Sequence, residues 1–328
     1  MNILIYSTVF YPSVGGIENQ TLLLIKNFVE KGHAVKVITY QKQSEPFEYC
    51  EVFYRPNFIK SIQLFLWCTT FFMPNISLKG IWLMFLHPKK NWIISHNDFS
   101  SCDKHGIMNK LKNVVNTFAN TNVAVSKSIA NHLSHNVTVI RNCYDEEIFK
   151  VIPQTERSID FVFLGRLVSQ KGADLLIRAC SRLEFPFSLL IIGDGPEKAN
   201  LNELTKQLNL TESIKFKGTL KGEQLAVHLN KCRVMVIPSM QNEGFGMVVL
   251  EGLACGCKII AANAGGLHEA VGKHGKNFEM GNEIQLHFLL ESFLKDNTND
   301  ISHQDGLATY LEKHSSSIVA ANYLQYFN

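Results

Sequence analysis

Short apolar strands and amphipathic helices alternate along this chain, break off once, and then start again. Residues 2–6 read as a buried strand, 18–31 as a helix ended by Gly32, and 34–39 as the next strand. Such alternation predicts a parallel sheet with helices on both faces. The pattern breaks at a polar stretch over 150–158 that contains Pro153 and reads as a linker. It resumes with strands at 160–164, 188–192, 213–216, 234–237 and 258–261. Helices at 172–182, 197–208 and 221–230, and one after Phe245, separate them. A length of 328 residues suits two domains of this kind. The expected fold class is therefore α/β, with two doubly wound Rossmann-like domains at 1–152 and 153–312. Residues 313–328 carry a terminal amphipathic helix over 319–327. In open sheets of this type ligands lie beyond the carboxyl ends of the strands, so the loops there are where chemistry is sought.

Hydrophobic residues make up 46% of the chain and charged residues 19%, enough apolar material for two cores and too much for a disordered protein. The eight cysteines form no C-x-x-C pair, and Cys255-x-Cys257 is too tight for a usual zinc pair. Buried, reduced thiols in a cytoplasmic protein are expected. The first six residues have no basic region or cleavage site and read as a strand rather than a secretion signal. The longest mostly apolar run, 62–73, ends at Pro74, short of the roughly 20 residues that span a bilayer.

Net charge is +3, but unevenly placed: 1–150 hold 15 Lys and Arg against 10 Asp and Glu, whereas 151–328 hold 17 against 19. Residues 52–97 hold no acid, yet contain Arg55, Lys60, Lys79, Lys89 and Lys90. Two readings stay open for this stretch. It is a face that docks peripherally on the anionic inner surface of a membrane, or a buried helix and strand with surface lysines. Basic and aromatic residues do not interleave as in a nucleic-acid-binding module, so no nucleic-acid partner is expected.

The densest chemistry lies at 238–256, PSMQNEGFGMVVLEGLACG. Glu243 and Glu251 bracket seven residues, and Gly244-Phe245-Gly246 lead into an apolar helix. Glycines before a helix free backbone amides to point at one spot, where the helix end adds roughly half a positive charge. A diphosphate suits the amides, and sugar or ribose hydroxyls suit the carboxylates. Taken singly, Glu243 is an acid at a helix start and Glu251 a solvent-facing helix residue.

Arg166, in Gly165-Arg166-Leu167, and Lys171, before Gly172, flank another strand-to-helix loop. They are either a solvated pair or two cations that reach one diphosphate. Gly193-Asp194-Gly195-Pro196 and Gly218-Thr219-Leu220 follow the next two strands, where glycine allows tight turns. In the first half, Gly15-Gly16 precede the first helix. His96 follows a short apolar strand at 92–95 and is either structural or placed at the site.

Glu243-x7-Glu251, Gly165-Arg166-Leu167-x3-Lys171-Gly172, Gly265-Gly266-x-x-Glu269 and Pro12-x-x-Gly15-Gly16-x-Glu18 together resemble the retaining family 4 glycosyltransferases (glycosyltransferase group 1). The resemblance is strongest over 160–270 and least over 50–90. It departs at Asn142-Cys143-Tyr144-Asp145, where the family form is N-G-V-D. It implies the GT-B fold, with two Rossmann-like domains facing across a cleft and a last helix that crosses back to the first.

The implied reaction moves a sugar from a nucleotide diphosphate to the hydroxyl of a glycan or lipid-linked glycan, with retention, in cell-surface polysaccharide or glycolipid synthesis. Glu243 would bind sugar hydroxyls and help stabilise the transition state. His96 would orient the donor sugar or take part in proton transfer. Gly15, Gly16, Arg166 and Lys171 would hold phosphate. Gly193, Gly195, Thr219, Leu220, Phe245, Gly246, Met247 and Val248 would line the nucleotide and sugar, and Glu251 would accept from the ribose hydroxyls. The chain has no D-x-D, so neither metal nor other cofactor is expected, and cations and helix amides take the leaving-group charge. The alternatives are another GT-B-type enzyme, such as a nucleotide-sugar epimerase, and a non-catalytic nucleotide-sugar-binding subunit.

Overall fold

The computed structural model describes residues 1–12, 15–42, 46–99, 107–133, 136–296 and 305–327. It divides into two units, Met1–Tyr144 with Lys313–Asn328, and Asp145–Glu312.

The first unit runs β1 (Asn2–Ser7), α1 (Gly16–Glu30), β2 (Ala34–Thr39), β3 (Glu51–Tyr54), α2 (Phe58–Trp67), β4 (Thr70–Met73) and α3 (Leu78–Ile81). A 3-10 turn (Trp82–Leu86) leads to β5 (Asn91–His96), α4 (Ile107–Asn116), β6 (Thr121–Ala124), α5 (Lys127–Ala130) and β7 (Thr138–Val139). The strands form one parallel sheet in the order β3-β2-β1-β4-β5-β6-β7. Successive side chains of a strand point to opposite faces, and here both faces are buried. Ile3, Ile5, Phe72 and Ile93 pack with Leu24, Ile25 and Phe28 of α1. Leu4, Tyr6, Phe71, Met73, Trp92 and Ile94 pack on the other side with Leu64 and Phe65 of α2, Leu83 and Met84 of the 3-10 turn, and Val115 of α4. Doubly covered parallel strands need continuous apolar runs, which is why 2–6 and 92–95 stand out in the sequence.

The second unit runs β8 (Ile159–Leu164), α6 (Ala173–Cys180), β9 (Leu189–Ile192), α7 (Lys198–Gln207), β10 (Ile214–Gly218), α8 (Gly222–Asn230) and β11 (Cys232–Ile237). It continues with α9 (Met247–Ala254), β12 (Lys258–Ala262), α10 (Leu267–Val271), β13 (Gly275–Phe278), α11 (Glu283–Asp296) and α12 (Leu307–Lys313). Its parallel sheet has the order β10-β9-β8-β11-β12-β13. The chain then adds α13 (Ser316–Leu324) to the first unit, where Val319, Ala320, Tyr323 and Phe327 enter the core beside α1.

The boundary expected at 152 falls instead after Tyr144. Residues 145–152 belong with the second unit because Asn230 of α8 holds them. Its Oδ1 accepts from the Ile152 amide at 2.7 Å, and its Nδ2 donates to the Lys150 carbonyl at 3.0 Å. The acid-free stretch resolves into β3, α2, β4, α3, the 3-10 turn and β5, and two of its five cations hydrogen-bond backbone carbonyls of the fold itself. Lys90 Nζ donates to the Phe65 carbonyl and, at 2.7 Å, to the Cys68 carbonyl, closing the carboxyl end of α2. Arg55 Nε donates to the Tyr40 carbonyl at 2.7 Å.

Among the described cysteines, Cys255 and Cys257 are buried and their thiols are pushed up to about 12 by burial, which leaves them unreactive near neutrality. Cys102 lies outside the described residues. No helix among the described residues is long and apolar enough to cross a membrane.

Candidate functional site

In the second sheet the strand order reverses between β8 and β11, the position where open α/β sheets bind ligands. The loops after those two strands are fastened to each other. Gly172 closes the loop after β8 in a left-handed conformation (φ +68°), and a Cβ there would lie 2.0 Å from the Pro238 carbonyl oxygen. The Met240 amide donates to the Gln170 carbonyl at 2.8 Å. This close approach brings Lys171 to Glu243, Nζ to Oε1 at 2.5 Å. Ser239, fully buried, donates through Oγ to the same oxygen at 2.6 Å. The backbone of Glu243 is held as well. Its amide donates to the Ala264 carbonyl at 3.3 Å and its carbonyl accepts from the Gly266 amide at 2.8 Å. The G-G-x-x-E loop thus supports Glu243 from behind.

Gly246 is left-handed (φ +103°) and starts α9. Phe245 and Met247 are buried, Val248 is half-buried, and the phenyl ring of Phe245 anchors the loop in the core. Glu251 lies on the second turn of α9. It is buried rather than solvent-facing. Burial, with the nearby negative charge of Asp145, pushes its pKa up to about 7.

Arg166 is exposed, with no carboxylate partner among the described residues. Its loop is stitched to the loop after β9 through Leu167, whose amide donates to the Asp194 carbonyl at 2.9 Å and whose carbonyl accepts from the Glu197 amide at 3.0 Å. Gly193 and Gly195 make that stitching possible: a Cβ on either would lie 1.9 Å from the Gly165 oxygen or 2.4 Å from the Leu167 oxygen. Their role in the free protein is close packing of backbone on backbone. Thr219 is exposed and Leu220 half-buried beyond β10. Gly193→Ala is expected to cost more than about 2 kcal/mol of stability, because strain at φ +143° adds to the overlap. Gly218→Ala, at φ +77° with nothing within 4 Å, carries the strain alone and costs about 1 kcal/mol. Urea unfolding of both variants checks the difference, and equal costs would count against the packing role.

The first-unit candidates look different. Gly15 is extended and precedes α1, which begins at Gly16. Ser13 and Val14 of the same motif lie outside the described residues. His96 does not follow a strand but ends β5, paired with Ala124 of β6. Its ring has no exposed surface and Nε2 meets Asn122 Oδ1 at 2.9 Å. Strand parity is the cause: His96 shares the inward face of Trp92 and Ile94, so the ring expected at the site is packed inside the unit.

The structure therefore brings Lys171, Ser239 and Glu243 into contact, and sets the Arg166 loop against the Gly193–Gly195 turn. Ser239 was visible only as part of the motif. Its role depends on the turn that follows β11. The effect of Asp145 on Glu251 had no sequence signal at all. Cavities of about 380 and 560 Å³ lie elsewhere, between α6 and α7 and beside β6, and include none of these candidate residues; Asn122, the partner of His96, lines the second.

Residues 144–310 match the family model described as glycosyl transferases group 1. A glycosyltransferase of Methanocaldococcus jannaschii is 37% identical over 180 residues, covering 52% of this chain and 49% of its own length. A component of the human phosphatidylinositol N-acetylglucosaminyltransferase is 25% identical over 313 aligned residues, covering 82% of this chain and 63% of its own length. The chain thus spans less than two thirds of either relative. Among solved structures, HepE of Anabaena in complex with UDP and glucose has a TM-score of 0.83 over 99% of this chain and 98% of that one, at 18% identity. That likeness is one of fold.

Proposed function

Since the chain belongs to the group 1 glycosyl transferases and has the GT-B fold, we propose that it is a glycosyltransferase that moves a sugar from a nucleoside diphosphate to an acceptor hydroxyl, with retention and without a metal. The observation that carries this reading is the Lys171–Glu243–Ser239 contact, with three residues between Glu243 and α9 and the exposed Arg166 in the same loop as Lys171. A carboxylate bound by both an ammonium and a hydroxyl is a poor nucleophile, so Glu243 suits orientation of sugar hydroxyls and stabilisation of positive charge at the anomeric carbon. The acceptor oxygen then bonds to that carbon on the face from which the diphosphate departs. The C–O electron pair moves onto the diphosphate, and a phosphate oxygen takes the acceptor proton.

Arg166, Lys171 and the amides at the start of α9 would take up the charge of the leaving group. Glu251, buried on α9, would accept from the ribose hydroxyls, and Thr219 and Leu220 would lie near the base. His96, with its ring enclosed, would act by positioning the turn that follows β5. HepE was solved with UDP and glucose, and the human relative is named for a phosphatidylinositol acceptor. These support a nucleotide-sugar donor and a lipid-linked acceptor, in glycolipid or polysaccharide synthesis.

Labelled donor with product analysis tests the reaction: an α-linked donor should give an α-linked product. EDTA should leave the rate unchanged, and a rate that collapses in EDTA and returns with a divalent ion would sink the metal-free part. Native chain and Glu243→Gln that bind UDP equally, while neither transfers nor hydrolyses sugar, would instead favour a non-catalytic binding role.

A further inference from the structure

We propose that the outer side of α2, the 3-10 turn and α4 is a docking surface for a bilayer rich in anionic lipid. These three elements cover one face of the first sheet, where Phe65, Met84 and Val115 share a single core, so their outer sides look the same way. Those outer sides are apolar to a degree that folding does not require. Phe58 (63% exposed), Ile59 and Leu66 project from α2, and Phe85 (79%) and Leu86 from the 3-10 turn. Phe58 stacks on Trp82 at 4.7 Å between ring centres, which joins the two elements into one surface. On α4 and just beyond it, Leu111, Val114 and Phe118 (71%) form an outward stripe at spacings of three and four. Eight of the eighteen large apolar side chains exposed among the described residues fall on this one layer. Such concentration marks an interaction site.

Charge selects the partner. Residues 52–143 contain ten Lys and Arg but only two acids, Asp98 and Asp103. Asp98 follows β5, where it accepts from Asn75 at 3.0 Å, and lies on none of the three elements. Asp103 is outside the described residues. Lys60, Lys79, Lys89 and Lys110 are exposed around the apolar side chains. Two copies of this face would repel each other, whereas exposed aromatics ringed by lysines match the interface of an anionic membrane. The surface deepens the proposed function in one respect, since it would bring the enzyme to a lipid-linked acceptor. Docking itself does not depend on the donor site.

Flotation with vesicles of one part phosphatidylglycerol to two parts phosphatidylcholine is the test, run on the full chain. The native protein should float with these vesicles, bind more weakly at high salt, and ignore pure phosphatidylcholine. Lys89→Glu with Lys110→Glu should lower partitioning about 25-fold, roughly fivefold per lysine. Phe85→Ser with Phe118→Ser should lower it at least about tenfold. Lys60 and Lys79 are left in place because they lie over the Phe53 and Tyr40 rings. Thermal stabilisation by UDP, read on the same samples, should be unchanged and shows that each variant is folded. Variants that float like the native protein overturn the proposal. So does a native chain that ignores anionic vesicles but is a dimer dissolved by Phe85→Ser, which would assign the face to a second copy. Loss of the UDP effect in the native chain with flotation intact would overturn the donor reading alone.

Discussion

Lys171→Ala is expected to lower kcat by about 10²–10³ while leaving the fold intact, the loss typical of one group that stabilises developing negative charge. Lys171 is suited to this because it is placed before the donor arrives. Gly172 brings its loop under Pro238, and Nζ already rests on Glu243 Oε1 at 2.5 Å, with the two side chains 35% and 20% exposed. The diphosphate gains charge as its bond to sugar breaks, so an ammonium fixed there contributes more to the transition state than to the bound donor. The loss should appear in kcat more than in KM. Arg166→Ala should cost less, because its side chain is exposed and no carboxylate among the described residues holds it in place.

Lys171 and Glu243 share one contact, so Lys171→Ala and Glu243→Gln should be strongly non-additive in a double-mutant cycle. Steady-state rates with a labelled donor measure all three quantities. A Lys171→Ala rate within threefold of native, or strict additivity, would falsify the clamp.

Ionisation of Glu251 is expected to make nucleotide affinity rise with pH up to about 7, by at most tenfold per unit, and Glu251→Gln should remove that part of the rise. The carboxyl titrates near 4.5 when exposed and at about 7 in the folded chain, first because it is buried and then because Asp145 is near. An acid with a raised folded pKa keeps its proton longer in the folded state. Below about 4.5 both states are protonated and nothing is lost. Between 4.5 and 7 the unfolded chain ionises first and stability falls. Above 7 the full penalty, about 3 kcal/mol, is in place.

Ribose hydroxyls that donate to the ionised form would offset part of that penalty, so binding should release a proton near neutrality. Glu251→Gln should accordingly stabilise the free chain at pH 8 by up to about 3 kcal/mol and leave it unchanged at pH 4.5. Urea unfolding at the two pH values and UDP titration across the range check both halves. The phosphate of UDP also titrates here, so the informative quantity is the difference between native and variant. Identical pH profiles for the two would remove Glu251 from the nucleotide site.

The alternation of strands and helices was readable because both sheets are covered on both faces, which forces runs such as Ile3–Ile5 and Val234–Ile237 to be apolar throughout. Short strands such as β3 and β7 and short helices such as α3 and α5 escaped notice because four or fewer residues carry too little periodicity. The spacing of Glu243 and Glu251, and the loop from Arg166 to Lys171, were likewise local patterns, and the family follows from them.

Burial and pairing were not local. Whether His96 opens to solvent depends on strand register against Asn122 and Ala124. Whether Glu251 faces water depends on what packs over α9. Lys90 proved to be a helix-end partner because Phe65 and Cys68 came within its reach. From the sequence alone came the two parallel sheets, the loops that carry polar groups and their order along the chain. The tertiary structure decided which of those groups meet, as Lys171 meets Glu243 across 72 residues of sequence, and which are enclosed. Electrostatics and hydrogen bonding act over a few ångströms of space, and no spacing along the chain specifies that distance until the sheet has formed.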